Sequence, residues 1–156
     1  SNIGAFKTPS KAVGAGSNSL EWVEAFDVLP EDETDPEPIA IRKFEADSKL
    51  LAAAHRTQHL YQKGKVVEGT IGSADVWNNE LDRIHFFYQN YGTSVEEMEA
   101  ASVAQIASQF NVPFIGVRVV SNNITNGGSY DAGTGEACQD FVLEVAEQYM
   151  SEQLKD

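Results

Sequence analysis

The chain has 156 residues, 42% hydrophobic and 22% charged, which suits one domain with a buried core and argues against disordered or fibrous classes. Its 24 acidic residues outnumber 11 basic ones, and the resulting net charge of −13 disfavours nucleic acid and anionic membranes as partners. No apolar run reaches the ~18–20 residues that cross a bilayer, and no signal peptide is visible, so a cytoplasmic protein is expected.

Taken in chain order, the first stretch is irregular. Gly14-Ala-Gly-Ser-Asn-Ser19 reads as a flexible turn and lacks the spacing of a dinucleotide or P-loop fingerprint, so no cofactor is expected. Eight acids fall between Glu21 and Glu37 with no Lys or Arg among them, and Leu29 to Pro38 carries three prolines. Residues 12–38 are therefore expected to form an acidic Gly/Pro-rich loop within a single domain spanning 1–156. Ile39-Ala-Ile-Arg reads as a short strand.

Asp47 and Ser48 offer an N-cap, and Leu50, Leu51, Ala54 and Tyr61 follow at helical spacing toward a stop at Gly64. His55 and His59 are four apart on that helix, but no third ligand is evident, so no metal is expected. Lys65 to Gly72 reads as a strand leading into a polar loop, Ser73 to Asn79. Leu81, Ile84 and Tyr88 share a face of the next helix, which Gly92 closes. Ser94 and Glu97 make a capping-box pattern ahead of a helix bearing Val103, Ile106, Ala107 and Phe110. Phe114 to Val120 has the continuous apolar look of a strand covered on both faces, and an Asn- and Gly-rich loop follows. The last helix is expected from about Glu136, with Cys138, Phe141, Val142, Val145 and Tyr149 on one stripe. Cys138, the only cysteine, permits no internal disulfide and reads as a small core residue. This alternation of strands and helices predicts an α/β domain with a mostly parallel, mixed sheet flanked by helices.

Three loops or helix starts carry polar groups suited to a small ligand. Glu96, Glu97 and Glu99 cluster beside Met98, and a carboxylate can accept hydrogen bonds from both hydroxyls of a vicinal diol. Glu97 and Glu96 also have structural readings, as a capping-box acid and as a partner of the helix N-terminus. Trp77 follows a strand and can form the floor or lid of a pocket for a planar base. Ser121-Asn122-Asn123 follows the apolar run, and an Asn amide can both donate to and accept from a heterocycle edge.

Glu97-Met-Glu-Ala100 followed by Asn111-Val-Pro-Phe-Ile-Gly-Val-Arg-Val-Val-Ser121 resembles the nucleoside phosphorylase and nucleosidase superfamily, nearest to methylthioadenosine/S-adenosylhomocysteine nucleosidases. The resemblance covers nearly the whole chain but only the carboxyl-terminal part of the family's domain, without its amino-terminal strands. It implies a nucleoside phosphorylase-like fold, a purine nucleoside as the small-molecule partner, and a homo-oligomer. It implies cleavage of a purine–ribose bond by an N-glycosyl hydrolase, with a phosphorylase or a non-catalytic nucleoside-binding fragment as alternatives. Glu99 would hold the ribose hydroxyls, with Met98 beneath the sugar and Glu97 in support. Gly72-Ser-Ala-Asp-Val-Trp77 looks like the family's purine loop, so Trp77 would stack near the base and main-chain groups at Val76 would read its edge. Ser121-Asn122 matches the family's Ser-Asp pair, with Asn122 acting on the leaving purine. Adenine-releasing members have Asp at that position, and an amide can donate a hydrogen bond but cannot act as a general acid. Members acting on 6-oxopurines place Asn there.

Overall fold

The computed structural model describes residues 43–75, 77–125 and 127–155, together with the backbone of 27–28 and 40–41. The expected Gly14–Ser19 turn, the Leu29–Pro38 loop and Val76 lie outside the described residues. Asp27–Val28 (β1) pairs antiparallel with Ala40–Ile41 (β2), so a strand begins inside the stretch expected to be loop, and the short strand expected at 39–42 is present at its centre. The chain divides into two compact units. One holds residues up to Phe44 and from Gly69 to Gln109; the other holds Glu45–Glu68 and Phe110–Asp156.

In the first unit, Thr70–Ser73 (β3) runs parallel to Thr93–Glu97 (β4), and the helix Leu81–Tyr91 (α2) lies between them in sequence. Parallel neighbours need such a crossover, because the chain must return to the same end of the sheet. Gly92 ends α2 in the left-handed region (φ 66°), and its N–H bonds to the Phe87 and Tyr88 carbonyls. The chain therefore enters β4 directly after the turn, and glycine is the residue that adopts this conformation without a Cβ clash. Phe87, 1% exposed, is the buried anchor of α2, with Phe86 edge-on at 5.8 Å between ring centroids.

The expected capping box at Ser94–Glu97 is instead strand β4, and the helix that follows is Ala100–Gln109 (α3). The reason is local. Thr93 and Val95 are β-branched, and burial alternates along the segment, with Thr93 inside, Ser94 and Glu96 outside and Val95 and Glu97 half-buried. Glycine at position 69 fits the same pairing, because a Cβ there would lie 2.9 Å from the Cβ of Ser94.

In the second unit, Ser48–Thr57 (α1) packs on the long helix Gly133–Gln153 (α4). Asp47 is the N-cap of α1, its carboxylate accepting from the N–H groups of Lys49 (3.0 Å) and Leu50 (2.9 Å). The helix stops at Thr57 and tightens into a 3-10 turn over Gln58–Leu60 rather than continuing to Gly64. Ala53 and Ala54 present small side chains to Phe141 and Val145, and Tyr61, Val66, Ile115, Val117 and Tyr149 close around them. Tyr61 meets the Phe141 ring edge-on, with centroids 5.8 Å apart. Helix α4 starts three residues earlier than the Glu136 expected from sequence. Of its proposed stripe, Phe141 and Val145 are buried, Cys138 and Tyr149 are half-buried, and Val142 is exposed.

Two expected strands are corrected. Within 65–72, only Thr70 to Gly72 are in strand, and β3 then extends to Ser73. Residues 114–120 are half-buried in part but form no strand ladder among the described residues; the Phe114 carbonyl bonds instead to the N–H of Asp47 (2.8 Å). An apolar run reads as a buried strand only where neighbouring backbone takes up its hydrogen bonds. No helix among the described residues is long and apolar enough to cross a membrane.

Because Phe141 fills the contact between α1 and α4, Phe141→Ala should destabilise the chain by about 3–5 kcal/mol through lost transfer energy and a residual cavity. Chemical denaturation would read this as a lower midpoint at an unchanged slope. A change below about 1 kcal/mol would mean that the ring is not a core residue.

Candidate functional site

The end of β4 and the start of α3 form a densely connected polar region among the described residues of the first unit. In parallel register Ser73 lies opposite Glu97, and Gly72 opposite Glu96. Ser73 is 4% exposed, and its hydroxyl donates to one Glu97 carboxylate oxygen while accepting from the Ala101 N–H (3.0 Å). Glu97 also accepts from the N–H of Glu99 (3.1 Å) and from that of Ala100 (2.9 and 3.1 Å to its two oxygens). Three backbone donors at the start of α3 are thereby satisfied by two side chains. Glu97 therefore caps α3 from the preceding strand, as an acceptor ahead of the helix and not as the capping-box acid expected with Ser94, and its hydroxyl partner is Ser73.

This cap leaves the neighbouring acids differently placed. Glu99 is exposed just ahead of α3, and its carboxylate accepts from the Met98 N–H (3.3 Å) near the helix N-terminus, where the dipole favours negative charge. Met98 is 40% exposed. Glu96 points to the other side of the strand and accepts from the Asn78 amide (2.9 Å). Burial raises the Glu96 carboxyl above the ordinary carboxylate range although part of it remains open to solvent, and the Asn78 hydrogen bond opposes that shift. The Asn78 contact joins the Trp77 loop to β4. Trp77 itself is 63% exposed and donates its indole N–H to Asn79 (2.9 Å), so it presents a largely open aromatic face.

Ser121 and Asn122 belong to the second unit, where both are half-buried. The Ser121 hydroxyl donates to the Asn122 side-chain oxygen (2.9 Å), so the amide's donor capacity lies in its NH2. The loop beyond is closed by paired backbone bonds between Asn123 and Gly128, at 3.0 and 3.4 Å. Asp131 N–H adds a bond to the Ser121 carbonyl (3.2 Å). Glu97, Met98 and Glu99 are thus brought together at one helix start, Trp77 is linked to it through Asn78, and Ser121 and Asn122 form a separate pair in the other unit.

The histidine pair is otherwise engaged. His55 meets Glu68 at 3.2 Å and His59 meets the Arg56 carbonyl at 2.9 Å. No group of three or more metal-ligating side chains occurs among the described residues. Burial pushes the Cys138 thiol up, with Arg118 opposing. Ser73 is the site residue that sequence reasoning left without a role. The register that sets Ser73 against Glu97 is a tertiary fact, and no spacing along the chain announces it.

Comparison with known proteins places these residues in context. The model of the phosphorylase superfamily matches residues 6–153. A 5'-methylthioadenosine/S-adenosylhomocysteine nucleosidase of Desulfotalea psychrophila is 31% identical over 118 residues, covering 73% of this chain and 49% of the relative. The nucleosidase of the same name from Shewanella pealeana is 35% identical over 89 residues, covering 56% of this chain and 39% of the relative. The matches therefore span half or less of these relatives' length. A solved structure from Weissella paramesenteroides, assigned as a methylthioadenosine nucleosidase, aligns with a TM-score of 0.54 at 18% identity, covering 96% of this chain and 63% of its own. That likeness establishes the α/β fold expected from the sequence.

Glu96 also gives a pH test. A raised carboxyl in the folded chain means that folding favours the protonated form, so this group lowers stability as pH rises from the unfolded-state value through the folded one. Glu96→Gln keeps the acceptor for Asn78 and removes that slope. The variant's melting temperature relative to wild type should therefore be more favourable at about pH 7 than at about pH 3, below the ordinary Glu range. A difference that is flat or reversed with pH would contradict this environment for Glu96.

Proposed function

This chain belongs to the phosphorylase superfamily, and from that premise we propose that it is the carboxyl-terminal portion of a purine nucleosidase-type N-glycosidase. Its substrate would be methylthioadenosine, S-adenosylhomocysteine or a related nucleoside, the substrates printed in the names of its relatives. The observation that carries the reading is the division of labour at the start of α3. Glu97 is consumed by the helix cap, while the adjacent Glu99 carboxylate stands exposed beside Met98. A structural cap alone accounts for Glu97 but leaves Glu99 without a packing role.

In this reading Glu99 accepts hydrogen bonds from both ribose hydroxyls, Met98 lies beneath the sugar, and Glu97 supports the turn that carries them. Trp77 stacks on the purine, main-chain groups at Val76 read its edge, and Ser121 orients Asn122 toward the leaving base. The C–N bond breaks as positive charge develops on the sugar, water adds to the anomeric carbon, and the departing purine nitrogen gains a proton. Asn122 can stabilise that nitrogen by donation but cannot supply its proton, which then comes from solvent. An amide at this position also favours a second reading, a 6-oxopurine substrate such as inosine cleaved by a phosphorylase. The two units are taken as parts of one phosphorylase-like domain in a cytoplasmic homo-oligomer.

The test is chromatographic detection of free purine from methylthioadenosine, S-adenosylhomocysteine and inosine, with and without phosphate. It should use both this chain and the longer natural polypeptide if one exists. Phosphate-independent release is expected, and Glu99→Gln should lower kcat/KM at least about tenfold, the scale of one charge-assisted hydrogen bond. Strict dependence on phosphate would favour the phosphorylase. Binding without release by either polypeptide would favour a non-catalytic role, and release of no purine with no binding would sink the nucleoside reading.

A further inference from the structure

We infer that Ser73 is a positioning residue for the carboxylate of Glu99, acting through Glu97, so that its hydroxyl sets selectivity for a vicinal diol. The inference rests on the reading of Glu99 as the diol-binding group and adds the element that aims it. Three observations lie on one line of contacts. Ser73 ends β3, is 4% exposed, and stands opposite Glu97 in the parallel register. Its hydroxyl has two partners, donating to the Glu97 carboxylate and accepting from the Ala101 N–H at 3.0 Å. The same carboxylate holds the Glu99 N–H at 3.1 Å, so the backbone of Glu99 is tied through one side chain to a buried hydroxyl on the neighbouring strand.

The chemistry explains why a hydroxyl is needed. A glutamate has one more rotatable bond than Asp or Asn and two more than Ser or Thr, the residues preferred at helix N-caps, so its carboxylate has more conformers to lose. Ser73 removes that freedom by holding one carboxylate oxygen from a strand whose position the sheet fixes. Accepting from Ala101 occupies one lone pair, and the hydroxyl proton is donated to Glu97. Glu99 then leaves the helix at a defined angle, and two sugar hydroxyls can be met at once only if that angle is held. An apolar residue at position 73 would preserve the strand yet leave the Ala101 N–H without its acceptor and remove the strand's hold on the Glu97 carboxylate.

The experiment compares binding of methylthioadenosine with that of its 2'-deoxy analogue, by calorimetry, in the wild-type chain, Ser73→Ala and Ser73→Thr. The ratio of the two affinities reports diol reading, and general destabilisation of the folded chain does not change it when each variant is titrated well below its melting temperature. Wild type should prefer the ribonucleoside. Ser73→Ala should lose about tenfold of that preference, equivalent to one hydrogen bond to a charged group, and Ser73→Thr should retain it by keeping the hydroxyl. If Ser73→Ala does not fold, Ser73→Cys keeps the volume with a much weaker donor and carries the same comparison. An unchanged ratio in the variant lacking the hydroxyl would overturn the inference. So would equal losses for both ligands, which mark a purely structural residue. A wild-type chain that binds both nucleosides equally would remove the diol reading of Glu99 itself, a separate failure visible before any variant is made.

Discussion

The start of α3 is held by side chains that do not come from one segment. A helix leaves its first N–H groups without intrahelical partners, and here those of residues 99, 100 and 101 are taken up by Glu97 from the preceding strand and Ser73 from its neighbour. The cap exists only if β3 and β4 are paired in parallel with Ser73 beside Glu97. Sheet register, helix start and the exposure of Glu99 are therefore one constraint seen at three places. The loop at Trp77 is tied to the same strand on its opposite face, through Asn78 and Glu96. Alternation along β4 thus sends one acid to structure and the next to the polar loop, and the chain then turns Glu99 outward.

The second unit is organised by a different interaction. Small residues on α1 let α4 approach closely enough for Phe141 and Val145 to be buried. Around that apolar contact Lys49 reaches Gln153 (2.9 Å) and Arg56 pairs with Glu152 (2.5 Å). Hydrogen bonds from Arg56 and Gln148 hold the Glu152 carboxyl below its ordinary range. As an open surface pair it adds little stability, and the packed alanine–phenylalanine contact carries the unit. Here the Ser121-Asn122 pair sits on a loop closed by its own backbone bonds rather than on a regular element.

Periodicity and punctuation made most helices legible. Asp47 as a cap, Gly92 as a stop and the Phe141–Val145 stripe all act as their residue types suggest. The Ser94–Glu97 pattern misled because the same letters satisfy two rules. Serine followed three residues later by glutamate is a capping box, and Thr93-Ser-Val-Glu-Glu is also an alternating strand; pairing with β3 decides between them. The run 114–120 misled in the opposite sense, since hydrophobicity alone does not provide a partner strand. At the candidate site, Glu99, Met98 and Trp77 could be singled out from residue type and resemblance. Ser73 could not be given a role, because its meaning lies in a contact across 24 positions of sequence.

Adjacent glutamates at 96 and 97 make β4 vulnerable to a one-residue slip, which would exchange the two carboxylates between opposite faces of the strand. In the slipped pairing, Ser73 would face a side chain unable to reach the helix start, and three N–H groups would lose their acceptors. Close passage of Gly69 by Ser94 adds a steric mark at the other end of the same ladder. The cap of α3 thus favours the register in which Ser73 faces Glu97.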